Sequence, residues 1–472
     1  MTTRNCKVLV IGAGPGGYVA AIRAGQLGLD TVIVEGDRAG GTCLIRGCIP
    51  SKALIHAATV FDDLSKHSSK TGHMGISIKS KPKLDMPDLI SWKDTIVGKL
   101  NQGVEHLLKK AGVELVKGWA SFKDAKTCTV STSKGDLEIC AEHVILANGS
   151  ESIELPFMPY DKHVISSTGA LDLDKLPKQL AIIGGGYIGL ELGIAFSKMG
   201  TEVTVIEALD RILPLFDKEL VRPVSLWLKR HKINVHLSSK AEGVERKGRK
   251  SIVTFSDSKG KKHKLSTDKV LVTVGRRPRT NGWGLENMGV DMDGNFIKVD
   301  NRCQTTMRNV WAIGDIVGEP MLAHKASAQG EMVAELIAGE KRSFDPVAIP
   351  SVCFTEPEIV SVGLSPNEAE EEGIETVVGK FPFAASGRAL AMDAGSDGGF
   401  VRITARKDNH LVLGIQAVGA HVSELSGEFI SSMEMGAVLE DISGTIHVHP
   451  TLTEAFHEAA LASLGHAIHI SK

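Results

Sequence analysis

Two thiols with four residues between them, in Cys43-Leu44-Ile45-Arg46-Gly47-Cys48, are the first residues of this chain whose type and spacing suggest chemistry. Seven cysteines stand at positions 6, 43, 48, 128, 140, 303 and 353, and only this pair is close in sequence. In a reducing compartment structural disulfides are rare, so a close pair reads as redox-active or metal-binding. A zinc site needs further Cys or His ligands at matching spacing; no second cysteine pair exists, so no metal is expected. Two inert buried thiols are the plainer alternative, which loses weight because the pair lies between glycines and close after the first acidic strand end. Pro50 suits the first turn of a helix continuing through Leu54, Ala58 and Phe61, which puts Cys48 just before a helix N-terminus. The positive end of that dipole favours a thiolate, and Arg46 and Lys52 add positive charge nearby.

Gly12-Ala13-Gly14-Pro15-Gly16-Gly17 follows the apolar run Val8–Ile11 and opens a helix through Tyr18 to Gln26, after which Asp30–Val34 forms a strand ending in Glu35. Gly12 permits the tight turn, Gly14 lets the backbone reach a pyrophosphate at the helix N-terminus, and Gly17 lets the helix pack on the strand. Glu35, twenty-three positions beyond Gly12, stands where an acid accepts from a ribose hydroxyl. The plan recurs at Leu180–Ile183, Gly184-Gly185-Gly186-Tyr187-Ile188-Gly189, a helix through Leu190–Met199 and Glu202–Ile206, ending in Glu207 at the same spacing from Gly184. An acid at that position favours NAD and repels the 2′-phosphate of NADP. Two nicotinamides would give no through-going chemistry, so one of the two sites holds a flavin.

Around these motifs, 472 residues are too many for one core, and at roughly 100–200 residues per domain about three are expected. Hydrophobic residues make up 42% and charged ones 23%, with net charge -2, which excludes a polyanion-binding or disordered class and leaves nucleic acid without a basic surface. No apolar run approaches the ~20 residues that span a bilayer, and Lys7–Ile11 begins a strand where a leader would run, so a cytoplasmic protein is expected. Asp88–Lys110 reads as an amphipathic packing helix with Leu89, Trp92, Ile96, Leu100, Val104 and Leu107 on one face. Residues 79–83 are a basic, proline-bearing solvated connector. Strands are expected at 251–256 and 269–274, and Pro346, Pro350 and Pro357 mark a boundary near residue 346.

Together, the segment Gly41–Lys52, the run Val310-Trp311-Ala312-Ile313-Gly314-Asp315, Leu322-Ala323-His324-Lys325-Ala326, Val274–Pro278 and His447-Val448-His449-Pro450-Thr451-Leu452-Thr453-Glu454 resemble the motifs of the pyridine nucleotide–disulfide oxidoreductases, in particular their dihydrolipoyl-oxidising branch. The resemblance covers almost the whole chain. It implies an α/β fold with two Rossmann-like dinucleotide-binding domains, for FAD and NAD, and a C-terminal α+β dimerisation domain. The expected ranges are 1–149 for the FAD domain, 150–276 for the NAD domain, 277–346 for a segment completing the first, and 347–472 for the interface domain.

By the same resemblance Cys43 is the interchange thiol, Cys48 the thiol nearest the flavin, His449 the base, Glu454 its orienting partner, and Lys52 and Glu191 a pair beside the flavin. Gly12, Gly14, Gly17, Glu35, Thr42, Lys52, Gly149, Asp315, Leu322 and Ala323 would hold FAD; Gly184, Gly186, Gly189, Glu207 and Gly275 would hold NAD. The implied partners are a second copy of the chain and the lipoyl domain of an acyltransferase or of a glycine cleavage carrier protein, with no nucleic acid, membrane or metal. Two departures stand out. Ile45-Arg46 replaces the asparagine and valine common in that branch, and Asn148 replaces a usual threonine. The NADP-linked members of the family are disfavoured by Glu207, and the mercury-reducing ones by the absence of any cysteine after Cys353.

Overall fold

The structure is a computed structural model that describes residues 2–68 and 73–471, so the outermost residues of the expected ranges, Met1 and Lys472, lie outside it. The chain divides into two compact units: residues 1–155, 165–176 and 274–345, and residues 156–164, 177–273 and 346–472.

In the first unit, β1 (Thr2–Ile11) is buried on both faces from Val8 onward, as a central strand of a parallel sheet must be. It pairs in parallel with β2 (Thr31–Glu35), through Val8↔Thr31 to Ile11↔Val34, and with the last strand of a later meander. Between β1 and β2 lies α1 (Pro15–Gln26), and after β2 come α2 (Cys48–His67) and α3 (Met86–Lys110). Four further strands follow: β3 (Glu114–Lys117), β4 (Trp119–Phe122), β5 (Thr127–Thr132) and β6 (Gly135–Leu146). The sheet order is β3-β2-β1-β6-β5-β4, with the strand Val310–Ala312 also paired in parallel to β6. β1 thus sits at the point where strand order reverses, the crevice where such sheets bind nucleotides. The helix Ala323–Ile337 packs on α1 closely enough that a Cβ on Gly330 would lie 2.3 Å from the Gly16 carbonyl.

α3 corrects the expected helix face. Val97, Val104 and Leu108 point into the core, whereas Trp92, Leu100 and Leu107 are more than two-fifths exposed. The inward stripe is completed by Lys93, which is buried because its Nζ donates to the Leu171 carbonyl and the Asp172 carboxylate, both at 2.9 Å. A hydrophobicity pattern cannot register a buried lysine whose charge is paired in this way.

The second unit repeats the nucleotide-binding plan: β7 (Gln179–Ile183), α4 (Tyr187–Lys198), β8 (Glu202–Ile206), β9 (Asn234–His236) and β10 (Lys269–Val272). Its sheet runs β9-β8-β7-β10, with Val164–Ile165 outermost. The expected strands at 251–256 and 269–274 appear as Lys250–Ser256, inside a three-stranded antiparallel sheet, and as β10.

The same unit carries a five-stranded antiparallel sheet of β11 (Ser351–Cys353), β12 (Glu358–Gly363), β13 (Thr376–Pro382), β14 (Phe400–Arg406) and β15 (Val412–Gly419), in the order β11-β12-β15-β14-β13. Among its helices are α5 (Ser426–Glu434), α6 (Leu439–Gly444) and α7 (Glu454–Ser463). They cover one face through Phe429 and Phe456, whose rings lie 5.0 Å apart among Val401, Ile403 and Ile415.

Candidate active site

The two glycine fingerprints use one piece of steric logic. A Cβ on Gly17 would fall 1.8 Å from the Gly12 carbonyl oxygen, and one on Gly189 would fall 2.6 Å from that of Gly184. Only glycine lets each helix begin directly over the strand it leaves. The middle glycines differ. A Cβ on Gly14 would touch only Gly41 Cα, at 4.0 Å, and one on Gly186 would meet nothing within 4 Å. Their missing side chains are therefore not required by the surrounding protein, and they stand at the N-caps of α1 and α4, where no side chain caps the helix. This arrangement fits a pyrophosphate brought against the free N–H groups.

Glu35, at the end of β2, accepts from Ala13 N at 2.8 Å and from Asp37 N at 2.9 Å. Burial pushes its carboxyl above the ordinary range, against the opposing pull of the Ala13 N–H and of Arg46. Glu207 is the counterpart after β8: buried, it accepts from Gly185 N, and from Leu209 N at 2.7 Å. In both units the acid expected to meet a ribose also fastens the glycine turn, a second role that spacing does not reveal. Each oxygen keeps a further lone pair for a hydroxyl donor. Beside Gly12, at the C-terminal end of β6, Asn148 Oδ1 is buried and has no hydrogen-bond partner among the described residues. An orphaned acceptor at the strand-order reversal fits a bound dinucleotide supplying the missing donor.

Asp315 lies just after Val310–Ala312 and accepts from Ser150 Oγ. Arg276 holds Ser150 in turn, through Nε to Oγ and Nη2 to the carbonyl, both 2.8 Å. Sequence reading left Ser150 and Arg276 out of the site, since residues so far apart in the chain give no local signal. Gly149 and Gly275 flank this network; their carbonyls accept from Arg279 N at 2.9 Å and Ile153 N at 3.1 Å. Leu322 stands at the N-cap position of the helix that Ala323 begins, its carbonyl accepting from Ala326 N at 3.1 Å.

Cys43 and Cys48 are joined as a disulfide, with Cα atoms 4.6 Å apart. Cys43 lies in a π-helical turn, Thr42–Arg46, and Cys48 is the first residue of α2. The expected place before the helix is thus shifted one step into it, still on the positive end of the dipole. The turn rests on the first fingerprint: a Cβ on Gly41 would lie 2.5 Å from Gly14 Cα. Thr42 opens the turn, and Lys52 follows in the second turn of α2. Arg46 is bonded to Asp37, so its charge is largely offset by a carboxylate instead of being directed at the thiols.

In the second unit, His449 Nδ1 lies 2.8 Å from Glu454 Oε1, and Glu454 Oε2 accepts from Thr451 N at 2.8 Å. Burial alone would raise the Glu454 carboxyl, but the bonds from His449 and Thr451 outweigh it and hold the group below its ordinary range. With Nδ1–H given to the carboxylate, Nε2 carries the free lone pair of a base, and the imidazole is 80% exposed, open to an incoming thiol. Glu191, on α4, accepts from Phe354 N at 2.9 Å. Among the described residues no group of His, Cys, Asp and Glu is arranged to hold a metal, and no helix is long and apolar enough to cross a membrane.

Residues 6–330 match the family model "Pyridine nucleotide-disulphide oxidoreductase", and residues 349–460 match its dimerisation domain. The chain is 55% identical over 465 residues to a dihydrolipoyl dehydrogenase of Pseudomonas aeruginosa, covering 98% of each. It is 46% identical over 466 residues to one of Bacillus subtilis, covering 98% of this chain and 97% of that one. Among solved structures, LpdA of Mycobacterium tuberculosis superposes with a TM-score of 0.88 at 25% identity, over 98% of this chain and 99% of the other. The HOCl-induced flavoprotein disulfide reductase RclA of Escherichia coli superposes with 0.84 at 26% identity, over 96% and 99%.

Proposed function

From the premise that this chain belongs to the pyridine nucleotide-disulphide oxidoreductases, we infer that it is an FAD-dependent enzyme that oxidises dihydrolipoyl groups to lipoyl groups and reduces NAD+ to NADH. The observation that carries the reading is the Cys43–Cys48 disulfide at the head of α2, resting against the turn of the first fingerprint. Residues 1–149 and 277–346 are assigned to FAD, 150–276 to NAD, and 347–472 to the interface of a homodimer, in keeping with the matched dimerisation domain.

His449 Nε2 takes the proton of a dihydrolipoyl thiol, and the resulting thiolate attacks Cys43 Sγ. The Cys43–Cys48 bond breaks, a mixed disulfide forms at Cys43, and Cys48 leaves as a thiolate favoured by the α2 N-terminus. The second substrate thiol then attacks the substrate's own sulfur in the mixed disulfide, the bond to Cys43 breaks, Cys43 leaves with the proton of that thiol, and the lipoyl ring closes. Glu454 keeps the His449 proton on Nδ1 throughout, the division of labour of base and orienter. When bound, FAD and NAD+ would supply the redox chemistry that takes up the electron pair left on the cysteines.

Gly12, Gly14, Gly17, Glu35, Thr42, Lys52, Gly149, Asp315, Leu322 and Ala323 are assigned to FAD, with Lys52 and Glu191 as a pair beside it. Gly184, Gly186, Gly189, Glu207 and Gly275 are assigned to NAD. In the homodimer each subunit's His449 serves the disulfide of the other. The protein-borne substrate is a lipoyl domain of a 2-oxoacid dehydrogenase acyltransferase or of a glycine cleavage carrier, in the cytoplasm. The test is NADH formation from dihydrolipoamide by the purified holoenzyme, with NADP+ and glutathione disulfide plus NADPH as controls. Rapid NAD-linked turnover that Cys43→Ser abolishes is expected; flavin without that turnover would point to a different disulfide substrate.

A further inference from the structure

Of the four residues Ile446 to His449, three face outward: Ile446 is 95% exposed, Val448 70%, and the His449 imidazole 80%. Only His447 turns in, with its side chain 6% exposed. Its ring nitrogens meet two acceptors, Nδ1 the Thr445 carbonyl at 2.9 Å and Nε2 the Glu428 carboxylate at 3.0 Å. A carbonyl oxygen and a carboxylate can only accept, so a neutral imidazole satisfies one of them and an imidazolium both. We propose that His447, held as an imidazolium between Glu428 and Thr445, is a positioning residue that fixes the segment carrying the His449 base.

Glu428 reaches His447 from α5, while α7 presents His457, with ring centroids 5.2 Å apart, the edge of Phe456, and Glu454. The Glu428 bond raises the His447 pKa above its ordinary value against the opposing effect of burial, and the Thr445 carbonyl and the charges of Glu428 and Glu454 add to the rise. A raised histidine keeps its contribution at low pH and loses it as pH climbs through the folded value. Above that point one of the two bonds is lost, the inward anchor loosens, and His449 leaves its working position.

This rests on the assignment of His449 as the base in dihydrolipoyl oxidation. The experiment is kcat/KM for dihydrolipoamide against pH in the holoenzyme dimer, for wild type, Glu428→Gln and His447→Gln. Removing an ionic partner lowers a histidine by about one pH unit or more, so the alkaline half-point of Glu428→Gln should fall by about that much, and the step should vanish in His447→Gln. Uniform loss with unchanged half-points would reduce His447 to packing and overturn the proposal. If His447→Gln does not fold, the Glu428→Gln shift decides alone. The imidazole carbon resonance of His449, identified by its loss in His449→Gln, reads the same step without turnover: a second inflection that moves in Glu428→Gln supports the proposal, and none rejects it. A wild type with that inflection but without dihydrolipoamide turnover would sink the functional reading instead.

Discussion

Gly41 and Gly14 are in backbone contact: a Cβ built on Gly41 would come within 2.5 Å of Gly14 Cα, and Gly41 has φ +60°. The turn that presents Cys43 and the turn that approaches a pyrophosphate are thereby one packed structure. Gly41→Ala adds a steric clash to a left-handed backbone, about 1–3 kcal/mol of strain placed on the flavin side. FAD retention should weaken about tenfold or more, read as the ratio of flavin to protein absorbance after gel filtration; full flavin content would refute the coupling.

Glu454→Gln keeps the shape of the His449 partner but removes the charge that fixes Nδ1–H. Turnover with dihydrolipoamide should fall by about 10² or more, while flavin reduction by NADH, which does not use this base, stays within about threefold. An equal fall in both would argue that the change acts on the fold.

The same carboxylate predicts a stability profile. Glu454 is depressed in the folded protein, so its contribution is present above its ordinary 4.5 and lost as pH falls through the folded value. Wild type should exceed Glu454→Gln at pH 7 by at most about 1 kcal/mol, and the gap should close below pH 4.5. Thermal denaturation across that window checks it, and a gap that widens on acidification contradicts the assignment.

Glu207→Ala removes a carboxylate bonded to Gly185 N and Leu209 N, so it loosens the turn as well as the selectivity. KM for NAD+ should rise about tenfold, the size of one charged hydrogen bond, and preference over NADP+ should shrink. Unchanged discrimination would remove Glu207 from the nucleotide site.

Arg46→Asn replaces a guanidinium that Asp37 already neutralises. The pH dependence of thiol alkylation in the reduced enzyme should move by less than about half a unit, because the α2 N-terminus and not Arg46 sets the thiolate field. A larger upward shift would give Arg46 the direct role that its place between the cysteines suggests.

The fingerprints were legible in the sequence because strand, glycine turn, helix and acid occur within about thirty residues, each with a local physical reason. Cys48 was readable to within one residue from Pro50. The π-turn around Cys43 was not, nor was the clasp of Glu35 on Ala13, since both depend on contacts with the folded first turn. The face of α3 was misread because Lys93 is apolar in its placement but not in its type. His449 and Glu454 were singled out through motif resemblance alone; a histidine five residues before an acid in an exposed loop carries no periodicity. Asp315 was singled out by its motif, but the network that joins it through Ser150 to Arg276 assembles from distant parts of the chain, beyond any pattern of spacing.

The disulfide joins residues only five apart. Cross-links restrain an unfolded chain in proportion to the logarithm of the loop they close, so this one contributes only about 2 kcal/mol, against nearly 5 for a loop of 100 residues. Architecture and valence are therefore almost uncoupled. The bond that is severed and remade in every cycle is one whose breakage the scaffold hardly registers, so the protein can serve as its own consumable reagent without wear.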